Sequence, residues 1–113
     1  MQYLLMIYSE EKAWIGISQA DQAAMMAGYM AFGKEFAGAI RGGNALQPVA
    51  TAKTVAVRDG KSLATDGPFA ETKEQLGGYY LVEAVSMEEA LAIAAKIPGA
   101  AYGRVEVRPI MTF

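Results

Sequence analysis

The sequence predicts a single domain of the α+β class, and three observations predict it. The chain has 113 residues, which is the length of one domain. Two helix-start signals lie far apart in the chain, and each predicted helix has strand-like segments on both sides. The predicted order over residues 1–113 is β-α-β-β-β-α-β. Without one short hairpin strand it becomes β-α-β-β-α-β, which is the ferredoxin-like pattern.

The first half of the chain is predicted to hold a buried strand and a long helix. Residues 2–8 form a continuous apolar run, which is typical of a strand with both faces buried. Ser18 and Asp21 form a capping box, so a helix begins there and is expected to run to about Arg41. The Gly-Gly pair that follows supplies the predicted left-handed cap. The apolar stripe expected on this helix consists of Met25, Tyr29, Phe32, Phe36 and Ile40, widened by Met26, Met30 and Ala37.

A hairpin and a further strand are predicted in the middle of the chain. Residues 53–58 alternate in polarity and are rich in β-branched side chains, which is typical of a strand. The Asp-Gly pair after them predicts a tight turn into a short return strand over residues 61–65. The next strand is expected over residues 76–84, and its Gly-Gly pair indicates either a bulge or the close approach of a ligand to the backbone.

A second capping box marks the last helix. Ser86 and Glu89 open a helix over about residues 87–97, and a final strand is expected over residues 103–110. The side chains expected to face the core from this helix are Ala90, Leu91, Ala94 and Ile97.

The composition excludes several classes of protein. There is no cysteine, so disulfides, thiolate metal sites and cysteine nucleophiles are absent. There is no histidine either, so a general acid or base has to be a carboxylate, a lysine or a tyrosine. The net charge is −2 with no basic stripe, which argues against nucleic-acid binding. Neither a signal peptide nor a membrane-spanning run is evident, so we expect a cytoplasmic protein that needs no cofactor.

The apolar content predicts a homodimer. Apolar residues make up 53% of the chain, which is more than one small core uses. Two helices cover only one face of a sheet, yet the strand over residues 2–8 is apolar on both faces. We therefore expect two copies to pack sheet against sheet. The seven methionines are interpreted as adaptable filler of the core, and a recognition surface is the alternative.

The segment from Asp66 to Tyr80 is the densest run of ionisable and turn-forming residues in the chain. Its sequence Asp-Gly-Pro-Phe, followed by Leu-Gly-Gly-Tyr-Tyr, resembles the DGPF-domain proteins of the YCII-related family. The opening strand, the two glycine-containing turns and the closing segment Gly103–Ile110 resemble the same family. The resemblance therefore covers nearly the whole chain.

The resemblance implies a ferredoxin-like domain that pairs as a dimeric α/β barrel. Most such proteins have no defined biochemical role, and some relatives are linked to extracytoplasmic-function sigma factors. More distant relatives use a His–Asp pair as their active site, and one branch eliminates chloride from a small cyclic substrate. Because this chain has no histidine, only the aspartate of such a pair is matched, at Asp66.

The central loop supplies three candidate site residues. Asp66 is the candidate catalytic base, and the alternative is a structural role, because aspartate before Gly-Pro is a common turn former. Glu71 and Lys73 are candidates for contacting a polar ligand, and the alternative is a solvated charged loop. Carboxylates of the loop form only a weak pattern for Mg²⁺, so no metal site is predicted.

Two strands supply the other candidates for ligand contacts. Tyr79 and Tyr80 point to opposite faces of their strand, so one is expected in the core while the other presents a hydroxyl to a cavity. Glu106 and Arg108 share the polar face of the last strand. A structural ion pair is the default interpretation of these two, and an anchor for a substrate carboxylate is the alternative.

These candidates leave three functions open. The first is a binding or accessory module that holds a small polar or aromatic metabolite in the cavity between two sheets. The second is a cofactor-independent enzyme for proton abstraction or elimination, with Asp66 as the base and Arg108 or Lys73 as the anion anchor. The third is a purely structural dimer.

Overall fold

A computed structural model describes all 113 residues, with two helices on one face of a four-stranded antiparallel sheet. The strands of this sheet lie in the order Ile40–Ala45, Gln75–Glu83, Gln2–Ser9 and Arg104–Pro109, and the strands Lys53–Arg58 and Lys61–Asp66 pair with each other in a separate two-stranded ribbon. No helix is both long and apolar enough to cross a membrane. The predicted ferredoxin-like α+β class is confirmed. The elements are β1 (Gln2–Ser9), α1 (Gln19–Glu35), β2 (Ile40–Ala45), β3 (Lys53–Arg58), β4 (Lys61–Asp66), β5 (Gln75–Glu83), α2 (Met87–Ala94) and β6 (Arg104–Pro109).

The core lies between the helices and one face of the sheet. Both helices begin as predicted, because the hydroxyl of Ser18 accepts the backbone N–H of Asp21 and the hydroxyl of Ser86 accepts that of Glu89. Burial in β1 alternates strictly, which places every second side chain under the helices. The buried apolar side chains are Tyr3, Leu5, Ile7, Phe32, Val82, Ala84, Ala90, Ile93, Ala94 and Ile97.

The segment from residue 36 to residue 45 differs from the prediction. The first helix ends at Glu35 rather than near Arg41, and the following glycines are not a helix cap. They lie in β2, which pairs antiparallel with β5. Glycine is unfavourable in strands, but the pairing of β2 with β5 overrides that local preference here. The strand that completes the ferredoxin-like sheet is therefore β2, and not the predicted strand over residues 53–58.

The β3–β4 hairpin forms as predicted, but it stands apart from the main sheet. Its turn has positive φ angles at Asp59 (52°) and Gly60 (75°), which a tight Asp-Gly hairpin turn requires. The hairpin strands pair with each other from Lys53 opposite Asp66 to Arg58 opposite Lys61. Both of its strands are thus additions to the ferredoxin-like pattern.

Several side chains are less buried than their spacing predicted. Met26, Met30 and Ala37 face solvent, because the single core under α1 uses only a narrow stripe of that helix. In α2 the side chain of Leu91 is exposed, and Ile93 takes the core position instead. None of the seven methionines belongs to the buried core, so their interpretation as core filler is wrong.

The second face of the sheet has no covering layer within the chain. We call it the open face. Residues directly opposite each other in neighbouring strands share a face, so the strand register defines its members. Its apolar centre consists of Leu4, Met6, Tyr8, Leu76, Tyr79 and Leu81, and its charged border on β6 consists of Arg104, Glu106 and Arg108.

Candidate functional site

A pocket of about 560 Å³ lies between α1 and the helix-covered face of the sheet. We call it the α1 pocket. Its volume falls in the range of natural small-molecule sites. Its lining consists of Ile7, Ser9, Trp14, Ile17, Gln22, Met25, Met26, Tyr29, Met30, Ala45, Gly77, Gly99 and Tyr102.

The helical wall of the pocket follows from the spacing of α1. Residues 22, 25, 26, 29 and 30 recur at three- and four-residue intervals, so their side chains lie on one side of the helix. The position of this wall is fixed by the Ser18 cap, which sets where the helix begins. The wall continues past the core, and its outer members, Met26 and Met30, form the exposed rim.

A second wall comes from the loop between β1 and α1. Trp14 follows a short helical turn at Glu11–Ala13 and reaches the pocket. The Glu11 carboxylate accepts the backbone N–H of Val49 at 2.9 Å, and the Glu11 backbone N–H donates to the side chain of Gln75 at 3.3 Å. These two contacts tie the loop that carries the tryptophan to the sheet side of the molecule.

The floor of the pocket contains a β-bulge. Ile7 pairs with Gly78 and Tyr8 pairs with Leu76, so Gly77 is the extra residue, as the Gly-Gly pair predicted. A Cβ atom on Gly77 would lie 3.9 Å from the indole nitrogen of Trp14. The absence of a side chain at this bulge therefore leaves room beside the indole ring.

The pocket is electrically neutral. No aspartate, glutamate, lysine or arginine lines it, and its polar groups are the side chains of Ser9, Gln22, Tyr29 and Tyr102 and the indole N–H of Trp14. Burial raises the pKa of Tyr29 far above its ordinary range, and the nearby Tyr102 raises it further. Tyr29 is therefore an uncharged hydroxyl at neutral pH. This arrangement suits a neutral, planar molecule with apolar faces and a few hydrogen-bonding substituents.

The structure places the candidate residues of the central loop outside this pocket. The side chain of Asp66 is 89% exposed, and its carboxylate pairs with the Lys53 ammonium at 2.8 Å. Glu71 is exposed, and the Lys73 ammonium lies 3.8 Å from the carboxylate of Glu10. No group of three or more acidic side chains comes together as a metal site.

Three of the candidate residues in the strands lie on the open face. Tyr79 and Glu106 both stand opposite Met6, and the hydroxyl of Tyr79 accepts a hydrogen bond from Asn44 at 2.9 Å. Arg108 pairs with Glu106 at 2.6 Å. Lys73 and Glu106 also border one polar hollow of about 950 Å³ beside Tyr8. The open face thus brings together several predicted residues in an exposed, ion-paired setting.

Tyr80 takes the predicted opposite orientation, toward the helices. Its ring centre lies 4.9 Å from that of Phe32, and burial raises the pKa of its hydroxyl. It borders a smaller hollow of about 270 Å³ that shares Ile7, Tyr29 and Ala45 with the α1 pocket. Tyr80 is therefore the half-buried tyrosine that packs against the core, as expected for one of the pair.

Comparison with known proteins agrees with this architecture. The model of the YCII-related domain matches residues 1–113, which is the entire chain. The chain belongs to the YCII-related family. An uncharacterised protein of Rhizobium meliloti (strain 1021), R00369, is 33% identical over 117 residues, covering 100% of this chain and 94% of that protein.

One solved structure shares the fold of this YCII-related domain. It is 5-chloro-2-hydroxyhydroquinone dehydrochlorinase (TftG) from Burkholderia phenoliruptrix AC1100, in complex with 2,5-dihydroxybenzoquinone. The TM-score is 0.53 over 98% of this chain and 94% of the other, at 16% sequence identity. At this identity the likeness establishes the common fold alone.

Sequence reasoning missed most of the α1 pocket of this YCII-related domain. It assigned Met25 and Tyr29 to a core stripe and gave Trp14 no role in a site. Two signals were available: α1 carries apolar side chains on more of its circumference than one core contact needs, and the chain's only tryptophan stands just before that helix. Large apolar side chains outside the core are typical of a binding surface.

Proposed function

We propose that this YCII-related domain is a homodimeric binding protein for a small, planar, hydroxylated aromatic or quinone-type molecule. The α1 pocket holds this ligand. The observation that carries the proposal is the pocket's combination of an uncharged apolar lining with a few hydroxyl and amide groups.

The lining chemistry favours an aromatic ring over a sugar or an anion. Methionine sulfur atoms and the indole ring of Trp14 make favourable contacts with aromatic rings. A charged ligand would lose its hydration without gaining an opposite charge, since no ionised side chain lines the pocket. The hydroxyls of Tyr29 and Tyr102 supply hydrogen bonds for oxygen substituents at the edge of a ring.

The ligand class is supported by the neighbour of the same fold. TftG holds 2,5-dihydroxybenzoquinone, a planar ring with oxygen substituents. The α1 pocket of this chain, at about 560 Å³, has room for a molecule of that class. We therefore use hydroxylated rings that are uncharged at neutral pH as the first probes.

The homodimer forms through the open face. A monomeric protein of 12.0 kDa exposes about 6,000 Å² of accessible surface, whereas this protomer exposes 7891 Å². The excess of about 1,900 Å² is more than twice the 800 Å² that each partner buries in a standard interface. The centre of the open face is apolar and its border is charged, which is the usual arrangement of an interface.

Catalysis by Asp66 is the weaker candidate function. A general base works best when its carboxylate is partly withdrawn from water and within reach of the substrate. Asp66 is exposed, is paired with Lys53 and does not line the α1 pocket. Binding without turnover is therefore the function that the geometry supports best.

The test uses Trp14 as a reporter, because it is the chain's only tryptophan and it lines the pocket. Hydroquinone and catechol, which are uncharged at neutral pH, are titrated while the tryptophan fluorescence and the melting temperature are followed. A ligand at a hundred times its Kd adds about 2.7 kcal/mol to the free energy of unfolding. We expect at least one probe to quench the fluorescence saturably and to raise the melting temperature.

Three variants locate the site. Met26→Glu places a charge on the exposed rim of the pocket and is expected to abolish both signals. Met87→Glu makes the same change on α2, away from the pocket, and is expected to bind like the wild type. Asp66→Asn is also expected to bind normally. Loss of binding in Asp66→Asn alone would move the site to the central loop, and equal binding in both methionine variants would refute the α1 pocket.

A further inference from the structure

The β3–β4 hairpin is exposed to solvent at all but two of its strand residues. We call it the arm, from Lys53 to Asp66. Every residue of β4 is exposed, and β3 is covered only at Thr54 and Ala56. A two-stranded hairpin without further packing is marginally stable in water. The arm therefore lacks, within one chain, the packing that would hold it in place.

The side chains on the arm are apolar as well as exposed. Val55 is 65% exposed and Val57 is 61% exposed, and both lie on the same side of the ribbon. At the base of the arm, Phe69 is 88% exposed. Exposed apolar groups that follow one another along a surface indicate an interaction site.

We propose that the arm of one protomer packs, through Val55, Val57 and Phe69, against a second copy of this chain. This inference rests on the homodimer proposed above. It adds that each protomer contributes the arm as well as its open face to the interface. Two arms related by the dimer axis would then hold the two copies from both ends.

The base of the arm is continuous with the open face. Phe69 borders a hollow of about 570 Å³ together with Tyr8 and Leu76, which are two members of the open face. A backbone hydrogen bond from Gly67 to Ala52, at 2.7 Å, closes the arm at the same place. A second copy that covers the open face therefore reaches the base of the arm across a hollow that no charged side chain lines.

The shape of the protomer also favours a second copy as the occupant. Its extents are 47 × 44 × 19 Å, and its radius of gyration is 15.9 Å. A compact domain of this length has a radius of gyration of about 13 Å. The chain is a flat plate, and a matching plate of the same dimensions covers the open face and the arm together.

The test takes advantage of the absence of native cysteine. Val57→Cys and, as a matched control, Leu91→Cys on the outer side of α2 are each treated with iodoacetamide while the alkylation rate is followed. Both native side chains are more than half exposed in the single protomer. When the protein is dimeric, we expect the thiol at position 57 to react at least about tenfold more slowly than the thiol at position 91. The arm must then detach from the partner before its thiol can react.

The dimer and the arm are tested separately. The mass of each variant is measured by light scattering, and Leu81→Glu, which charges the centre of the open face, is added to Val57→Cys. The slow reaction is expected to become as fast as that of the control in this double variant. A dimeric mass with equal alkylation rates at both positions would overturn the proposed contact of the arm and leave the proposed dimer intact. A single-chain mass for the wild type would overturn both.

Discussion

The ring of Tyr80 lies directly against the backbone of Gly43. A Cβ atom on Gly43 would stand 2.8 Å from a ring carbon of Tyr80 and 2.8 Å from the backbone oxygen of Tyr79. Such distances are too short for a methyl group, so the strand accepts only glycine here. The ring that fills this space also contacts Phe32 and thereby joins β2, β5 and α1.

Gly43→Ala is expected to destabilise the fold. The added methyl group overpacks the strand, which costs about 1–3 kcal/mol. In a domain of this size, each kcal/mol lowers the melting temperature by about 4–8 °C. Gly38→Ala, just before the same strand, is the control, because a Cβ atom on Gly38 meets nothing within 4 Å. Thermal and urea unfolding of both variants checks the prediction, and equal losses at the two positions would contradict the role of Tyr80.

The contact between Tyr80 and Gly43 also explains why the sequence did not predict β2. The pattern of polar and apolar residues predicted β1, α2, β5, β6 and both helix starts, because those signals are local. The glycine pair of β2 carries no strand signal of its own. Only the ring of Tyr80 requires glycine at position 43, and it stands 37 residues further along the chain, so local sequence patterns do not reveal it. The predicted helix therefore included residues that form the start of β2 in the structure.

The site was harder to predict than the fold. The charged residues of the central loop attracted attention because ionisable side chains carry chemistry, yet Asp66 and Lys73 are exposed. The α1 pocket consists of apolar residues whose sequence signature is the same as that of a core. Whether such a residue is buried depends on where the packed layers end in the folded protein. Met25 is half-buried, whereas Met26 lies on the exposed rim.

Tyr29 is expected to make the protein lose stability at alkaline pH. Its pKa in the folded protein is raised above the ordinary value of 10.0 by burial. As the pH rises above 10, the unfolded chain therefore releases this proton before the folded protein does, and the free energy of unfolding falls. The stabilisation is fully present below pH 10, and the slope for one proton is at most about 1.4 kcal/mol per pH unit.

Tyr29→Phe removes this titration. We expect its free energy of unfolding, measured with urea between pH 8 and pH 11, to fall less steeply above pH 10 than that of the wild type. The two curves are expected to run parallel below pH 9, apart from a constant offset for the lost hydroxyl contacts. A parallel decline of both proteins above pH 10 would show that Tyr29 does not titrate differently in the folded and unfolded states.

Leu81→Glu is expected to separate the proposed dimer. Leu81 stands opposite Leu4 in β1 and Gly42 in β2, at the centre of the open face. A carboxylate there would be buried without a partner when two sheets pack together, and the symmetry of the dimer would bring in a second one. Sedimentation equilibrium is expected to give twice the chain mass of 12.0 kDa for the wild type and the single mass for the variant.

Leu91→Glu is the control for this change. It introduces the same side chain at a leucine that is 51% exposed on α2, on the side of the domain away from the open face. The variant is expected to remain dimeric, because its new charge stays in water. Circular dichroism checks that both variants keep the wild-type fold. If both variants had the wild-type mass, the open face would not be the contact between the copies. If both were single chains, the effect would not be specific to the open face.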